Sequence, residues 1–160
     1  MKRSGTVRTM YLVRRLQLLE RDIIENTLRP IGLTASQYTT LSMLGRRDNL
    51  SSAQLARRFG VTPQSMTDVI KALEDKRLIA RREADGNHRI LHITLTSAGR
   101  KCIDICEELV DREEERLFAT LSKMELAKLR ELLSRVVKSK SGEDAIAAGD
   151  LLLPKIAAKT

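Results

Sequence analysis

Apolar residues recur at helical spacing along most of the chain. The first stripe, in a helix starting near Val7, runs through Leu12, Leu16, Leu19 and Ile23. Its steps of four, three and four make a seam that packs on another helix. Arg29-Pro30-Ile31-Gly32 ends it, because proline brings no amide donor and glycine favours a turn. Thr34 with Gln37 is a capping-box signature, and the helix it opens carries Tyr38, Leu41 and Leu44 on its apolar side. A polar break, Asp48-Asn49-Leu50, follows. Ser51 and Gln54 then repeat the signature and open a short helix with Leu55, Ala56 and Phe59, which Gly60 stops. Thr62-Pro63 supplies an N-cap and a first-turn proline for the next helix. Met66, Val69, Ile70 and Leu73 follow at i, i+3, i+4 and i+7, and the pattern fades at Lys76-Arg77.

The period then changes. Leu78 to Glu83 reads as a short strand, Ala84 to His88 with Asp85-Gly86-Asn87 as a turn, and Ile90 to Leu95 as a second strand with Leu91, Ile93 and Leu95 on one face. Thr96 caps a long helix carrying Ile103, Cys106, Leu109 and Val110, acidic in its second half from Glu107 to Glu115. Ser122 with Glu125 opens a last helix bearing Leu126, Leu129, Leu133 and Val136. Ser139-Lys140-Ser141-Gly142 resembles a linker, and the tail from Glu143 holds the apolar patch Leu151-Leu152-Leu153 before Pro154. The pattern predicts a mainly α fold with a small β-hairpin: a winged helix-turn-helix plus a helical dimerisation region. The expected division is an N-terminal dimerisation helix over 1–32, a winged helix-turn-helix over 33–96, dimerisation helices over 97–138 and a tail over 139–160.

Composition narrows the function. The chain has 160 residues, enough for a hydrophobic core, and with 2% aromatic residues that core is aliphatic. A net charge of +8 points to a polyanionic partner, nucleic acid or an anionic surface. No apolar run approaches the roughly 20 residues needed to span a bilayer. The basic start has no apolar signal region behind it, so the expected location is the bacterial cytoplasm, with no membrane partner. Cys102 and Cys106 give no disulfide framework, and neither a Cys-x-x-Cys nor a Cys-x-x-His spacing occurs. A buried thiol as a small apolar side chain is the ordinary reading, and no metal or cofactor is expected. There is no phosphate-binding glycine loop and no nucleophile elbow, and His88 and His92 lack a third partner, so nothing points to an enzyme.

The central segment carries the candidate chemistry. Ser51 to Phe59, the Gly60-Val61 turn and Thr62 to Arg77 form a helix-turn-helix whose second helix enters the major groove in this motif. With Met66, Val69, Ile70 and Leu73 turned to the core, Gln64, Ser65, Thr67, Asp68 and Lys71 remain exposed near its N-terminus. Gln pairs with adenine, and Ser and Thr contact bases or phosphates. Free N–H groups at the helix start favour a phosphate, which adds Thr62 and, on the preceding helix, Ser52. In the hairpin, Arg82, Asn87, His88 and Arg89 are candidates, and a guanidinium at a wing tip suits a narrow minor groove. Arg46 to His92 holds ten Lys or Arg against six Asp or Glu.

Arg77-Leu78-Ile79-Ala80-Arg81-Arg82 and Arg89-Ile90-Leu91-His92-Ile93-Thr94-Leu95-Thr96-Ser97-Ala98-Gly99 resemble the wing signature of the MarR family. Its members show Asp-x-Arg, then a strand ending in Leu-Thr-x-x-Gly. Arg89, Leu95, Thr96 and Gly99 match, and the resemblance covers roughly Val7 to Val137. It implies a triangular homodimer that binds double-stranded DNA at a pseudo-palindromic operator, usually a repressor released by a small anionic or aromatic ligand. A pocket between the dimer helices and the winged unit would have Met10, Arg14, Tyr38 and Met43 as wall residues. Three departures stand out: Asn87 at the place of the wing Asp, Asp68 where an Arg is common, and a tail longer than the family core. Members that sense oxidants through a cysteine near the first helix have no counterpart here, because that helix has none. The alternative function is a structural, nucleoid-type DNA-binding dimer without a ligand.

Overall fold

In a computed structural model, the structure describes residues 7–140 apart from 48 and 85–86, with no side chains described for 84, 87–90 and 140. The linker and tail readings from 141 onward lie outside the described residues. Among the described residues, six α-helices, α1 (Thr9–Leu28), α2 (Ala35–Arg46), α3 (Ser52–Phe59), α4 (Pro63–Asp75), α5 (Ser97–Leu117) and α6 (Lys123–Lys140), accompany three strands, β1 (Leu50–Ser51), β2 (Ile79–Ala84) and β3 (Asn87–Leu95). The chain divides into two compact units, Met1–Ala35 and Ser36–Thr160.

In the first unit, α1 leads into a 3-10 turn over Arg29–Ile31 with Pro30 in its first turn. Gly32 closes it in the left-handed region at φ 74°. Leu28 is fully buried and Ile24 nearly so, while Met10, Tyr11, Leu12, Val13, Leu18 and Leu19 are exposed.

The second unit encloses an aliphatic core. Leu41, Leu44, Leu55, Met66, Ile70, Leu73, Ile93 and Cys106 are all within 2% of complete burial. The sheet is antiparallel in the order β1-β3-β2. Leu50 pairs with Ile93 and Ser51 with His92, so the segment read as a polar break contributes a third strand to what the sequence presented as a two-stranded hairpin. Two residues are too few to show an alternating pattern, and the capping signature at Ser51 masks them. The wing turn is also shorter than expected, because β2 reaches Ala84 and β3 starts at Asn87, which places Asn87, His88 and Arg89 in the strand. Backbone pairing between Ala84 and Asn87 extends the ladder through polar residues that carry no apolar alternation. At the other end of the chain, α6 continues through Ser139 and Lys140, two residues that read as linker because Ser and Lys are compatible with either state.

The same closure ends three helical segments. Leu33 N–H donates to the Leu28 carbonyl, Val61 N–H to Ala56, and Leu78 N–H to Leu73. In each case the preceding residue is left-handed: Gly32, Gly60 and Arg77, the last at φ 57°. A side chain at that position meets its own backbone, which is why glycine is usual there. Arg77→Gly is therefore expected to raise unfolding stability by about 0.5–1 kcal/mol. Chemical denaturation would check it, and a loss of stability would contradict the strain.

Candidate nucleic-acid interface

The helix that would enter a groove is fixed first at its start. Thr62 is extended, and its Oγ1 accepts from the Ser65 N–H at 3.1 Å, with Pro63 at the first helical position. Met66, Ile70 and Leu73 bury one face of α4, and Gln64, Ser65, Thr67, Asp68 and Lys71 are exposed on the rest. The structure thus brings together on one surface the residues singled out by their position on the helix.

Several of these groups already have local partners. The Ser65 and Thr62 hydroxyls lie 2.9 Å apart. The Thr67 hydroxyl donates to the Pro63 carbonyl at 2.9 Å. Gln64 Nε2 donates to Asp68 Oδ1 at 3.3 Å. Asp68 therefore orients the Gln64 amide through one Nε2 hydrogen, and the other Nε2 hydrogen with Oε1 makes the pair that bidentate contact with a base requires.

α3 is held by a complete capping box: Ser51 N–H donates to Gln54 Oε1 at 2.8 Å and Gln54 N–H to Ser51 Oγ at 3.3 Å. This sets half-buried Ser52 as the first residue of α3. In the wing, Arg82 is exposed and pairs in register with His92, on the sheet face opposite Ile79, Ile93 and Leu95. Asn87, His88 and Arg89 occupy the first three positions of β3, and their side chains lie outside the described residues.

One group of bonds escaped the sequence reading. Arg81 Nε donates to Glu74 Oε1 at 2.8 Å and Arg81 Nη2 to Glu74 Oε2 at 2.9 Å, joining the last turn of α4 to β2. Beside it, the Thr96 N–H donates to the Leu78 carbonyl at 3.0 Å. The Thr96 hydroxyl lies 2.8 Å from the Arg77 carbonyl and accepts from the Gly99 N–H at 3.0 Å. Opposite charges seven residues apart across a helix end give no recognisable spacing.

The residues named for a ligand stand on separate elements. Met10 and Arg14 are exposed on α1, and Tyr38 and Met43 are half-buried on α2. Burial, and then the charges of Glu107 and Asp111, push the Tyr38 phenol well above its ordinary range, so it stays protonated. Glu107 Oε1 accepts from the Ser42 hydroxyl at 3.2 Å and from Arg46 at 3.4 Å, linking α5 to α2. A groove of about 280 Å³ beside this link is lined by Gly45, Arg46, Arg100, Ile103, Asp104 and Glu107. Neither Tyr38 nor Met43 lines it.

The acidic half of α5 carries a cost. Burial raises the Asp111 pKa, and Glu114, Glu107 and Glu115 raise it further. A carboxyl whose folded pKa is raised opposes folding when ionised. That penalty is absent below its ordinary pKa of 3.8 and complete above the raised value. Asp111→Asn is expected to raise the Tm at pH 7 by roughly 1–2 °C, allowing for solvent screening, and to lose that gain below about pH 3.5. Thermal melts at the two pH values check this, and an equal gain at both would contradict it.

Cys106 is fully buried and Cys102 half-buried. Burial first, and then the neighbouring Cys102, push the Cys106 thiol up to about 12. A protonated thiol is a poor nucleophile and a poor metal ligand. Among the described residues, no group of three or more His, Cys, Asp or Glu could hold a metal ion. No helix among them is long and apolar enough to cross a membrane.

A short helix, a left-handed glycine turn, a capped second helix with a polar outer face and a three-stranded sheet define a winged helix-turn-helix protein. A model of the MarR family matches residues 31–90. HTH-type transcriptional repressor Rv2887 of Mycobacterium tuberculosis (strain ATCC 25618 / H37Rv) is 34% identical over 126 residues, which cover 79% of this chain and 91% of that protein. The crystal structure of the Mycobacterium tuberculosis MarR family protein Rv2887 in complex with DNA matches with a TM-score of 0.71 and 32% identity, covering 82% of this chain and 98% of that one. The structure of Rv2887 with salicylic acid matches with a TM-score of 0.70 and 32% identity, covering 84% and 99%. The chain belongs to the MarR family of transcriptional regulators.

Proposed function

We propose that the protein is a ligand-responsive transcriptional repressor that binds a pseudo-palindromic operator in double-stranded DNA as a homodimer, in the cytoplasm and without catalysis. The observation that carries this reading is the polar outer face of α4, set on a buried aliphatic face and started by a Thr62 cap. Gln64, Ser65, Thr67, Asp68 and Lys71 read bases and backbone in the major groove. Thr62 and Ser52 serve phosphates through helix starts, and Arg82, Asn87, His88 and Arg89 serve the adjacent minor groove. The DNA complex of Rv2887 supports this reading.

Dimerisation is supported by exposed apolar residues at both ends of the chain: Met10, Leu12 and Leu19 on α1, and Leu132, Leu133 and Val136 on α6. A small aromatic carboxylate is the class of effector, by analogy with the salicylic acid complex of Rv2887. Tyr38 and Met43, half-buried on α2, are its proposed contacts.

Selection of bound duplexes from a random pool tests the reading. The expected product is an inverted repeat with half-site centres about ten base pairs apart, and added salicylate is expected to reduce recovery. Recovery of single half-sites, or of no common sequence, would overturn it.

A further inference from the structure

From the two-point contact between the recognition helix and the wing, we infer that Glu74 and Arg81 are a positioning pair that sets operator specificity. The inference rests on the DNA-binding reading and deepens it. Glu74 lies in the last turn of α4 and Arg81 is the third residue of β2, paired in register with Ile93. Arg81 therefore shares a sheet face with Ile79, Ile93 and Leu95, and its side chain leaves the edge of the core to reach back to the helix. Both guanidinium donors engage, one to each carboxylate oxygen, at 2.8 and 2.9 Å. A planar fork held at two points fixes orientation as well as distance, which a lysine or a single bond does not do.

The segment spanned by this contact explains why orientation matters. Between α4 and β2 lie only Lys76, Arg77 and Leu78, with Arg77 in the left-handed region. That short turn is the covalent hinge between the groups that would enter the major groove and those that would enter the minor groove. The Glu74–Arg81 fork bridges the hinge from the side. It has a second consequence, since Arg81 is partly exposed, with a side-chain exposure of 42%. Released from Glu74, its charge would become free for any phosphate, which adds affinity without sequence information. Glu74 thus restricts the hinge and also withholds a cation from nonspecific contacts.

The test compares full-length wild type, Glu74→Gln, Arg81→Gln and the exchanged pair Glu74→Arg with Arg81→Glu. Arg at position 74 suits the C-terminal end of a helix, so the exchange is electrostatically compatible with α4. Each chain is titrated against a duplex carrying the selected inverted repeat and against a shuffled duplex. Each single variant is expected to lower the ratio of the two affinities about tenfold, and the exchanged pair to restore it to within about threefold. Unfolding midpoints should hardly move, because a partly exposed ion pair contributes little to stability. Single variants that keep the wild-type ratio, or an exchange that fails to restore it, would overturn the positioning role while leaving the DNA-binding reading intact. A wild-type chain that does not discriminate between the duplexes would instead remove the reading on which the pair depends.

Discussion

Gly99→Ala is expected to cost about 3 kcal/mol or more of folding stability, the largest effect of any single substitution predicted here. A Cβ at Gly99 would overlap the Leu78 carbonyl oxygen and come within 2.9 Å of the carbonyl carbon. Both are backbone atoms, so no side chain can swing away. Nor is that carbonyl free to retreat, since the Thr96 N–H donates to it at 3.0 Å and the Thr96 hydroxyl lies 3.1 Å away. The first turn of α5 and the hinge before β2 would have to separate, taking with them the Thr96 cap on the Gly99 N–H. Gly45→Ala is the control, because a Cβ there meets only Leu95 Cδ1 at 3.7 Å and Ile103 Cγ2 at 4.0 Å. In the last turn of α2, where the gain from a helix-favouring residue is smaller than at mid-helix, it is expected to change stability by less than about 0.5 kcal/mol. Urea unfolding of both variants checks the pair. A Gly99→Ala chain within about 1 kcal/mol of wild type would show that the close approach can relax.

Arg89→Ala is expected to weaken operator binding about ten- to a hundredfold and to reduce the salt slope of binding by about one. Arg89 is the third residue of β3, at the end of the ladder furthest from Leu95. A guanidinium delivered from there to a narrow minor groove adds charge where the negative potential is greatest. Because that contribution carries little base information, binding to shuffled DNA should fall alongside binding to the operator. Substitutions on α4, such as Gln64→Ala, should by contrast lower operator affinity more than shuffled affinity. Titrations at several salt concentrations separate the two patterns. Unchanged affinity and slope for Arg89→Ala would remove the wing from the interface.

The parts of this architecture that were legible in the sequence are those specified by local chemistry. Thr62-Pro63 starts α4 where the cap and proline rules place it, and Met66, Ile70 and Leu73 of the i, i+3, i+4, i+7 set are buried, with Val69 half-buried. The Ser51/Gln54 box closes as expected. So does the Ser122/Glu125 box, with Glu125 Oε2 accepting from the Ser122 N–H at 2.8 Å and its hydroxyl at 2.7 Å. What escaped depends on partners distant in sequence. β1 exists because Leu50 meets Ile93, 43 positions on, and a two-residue strand has no period of its own. Alternation places Leu91 on the face of Ile93 and Leu95, yet it is 43% exposed because its end of the ladder extends past the core. Arg81 is one of ten Lys or Arg from Arg46 to His92, and only the folded chain shows that it is committed to Glu74. The left-handed Arg77 likewise gives no signal, since a glycine there would have announced the turn.

The most direct test of the central claim is fluorescence anisotropy of the purified chain against its own upstream intergenic duplex and a shuffled duplex of the same composition, each at several salt concentrations. A sequence-specific regulator is expected to bind the native duplex at least about a thousandfold more tightly than the shuffled one, with the preference retained as salt rises. Equal affinities that fall together with salt would contradict that claim and leave a protein that holds DNA by charge alone.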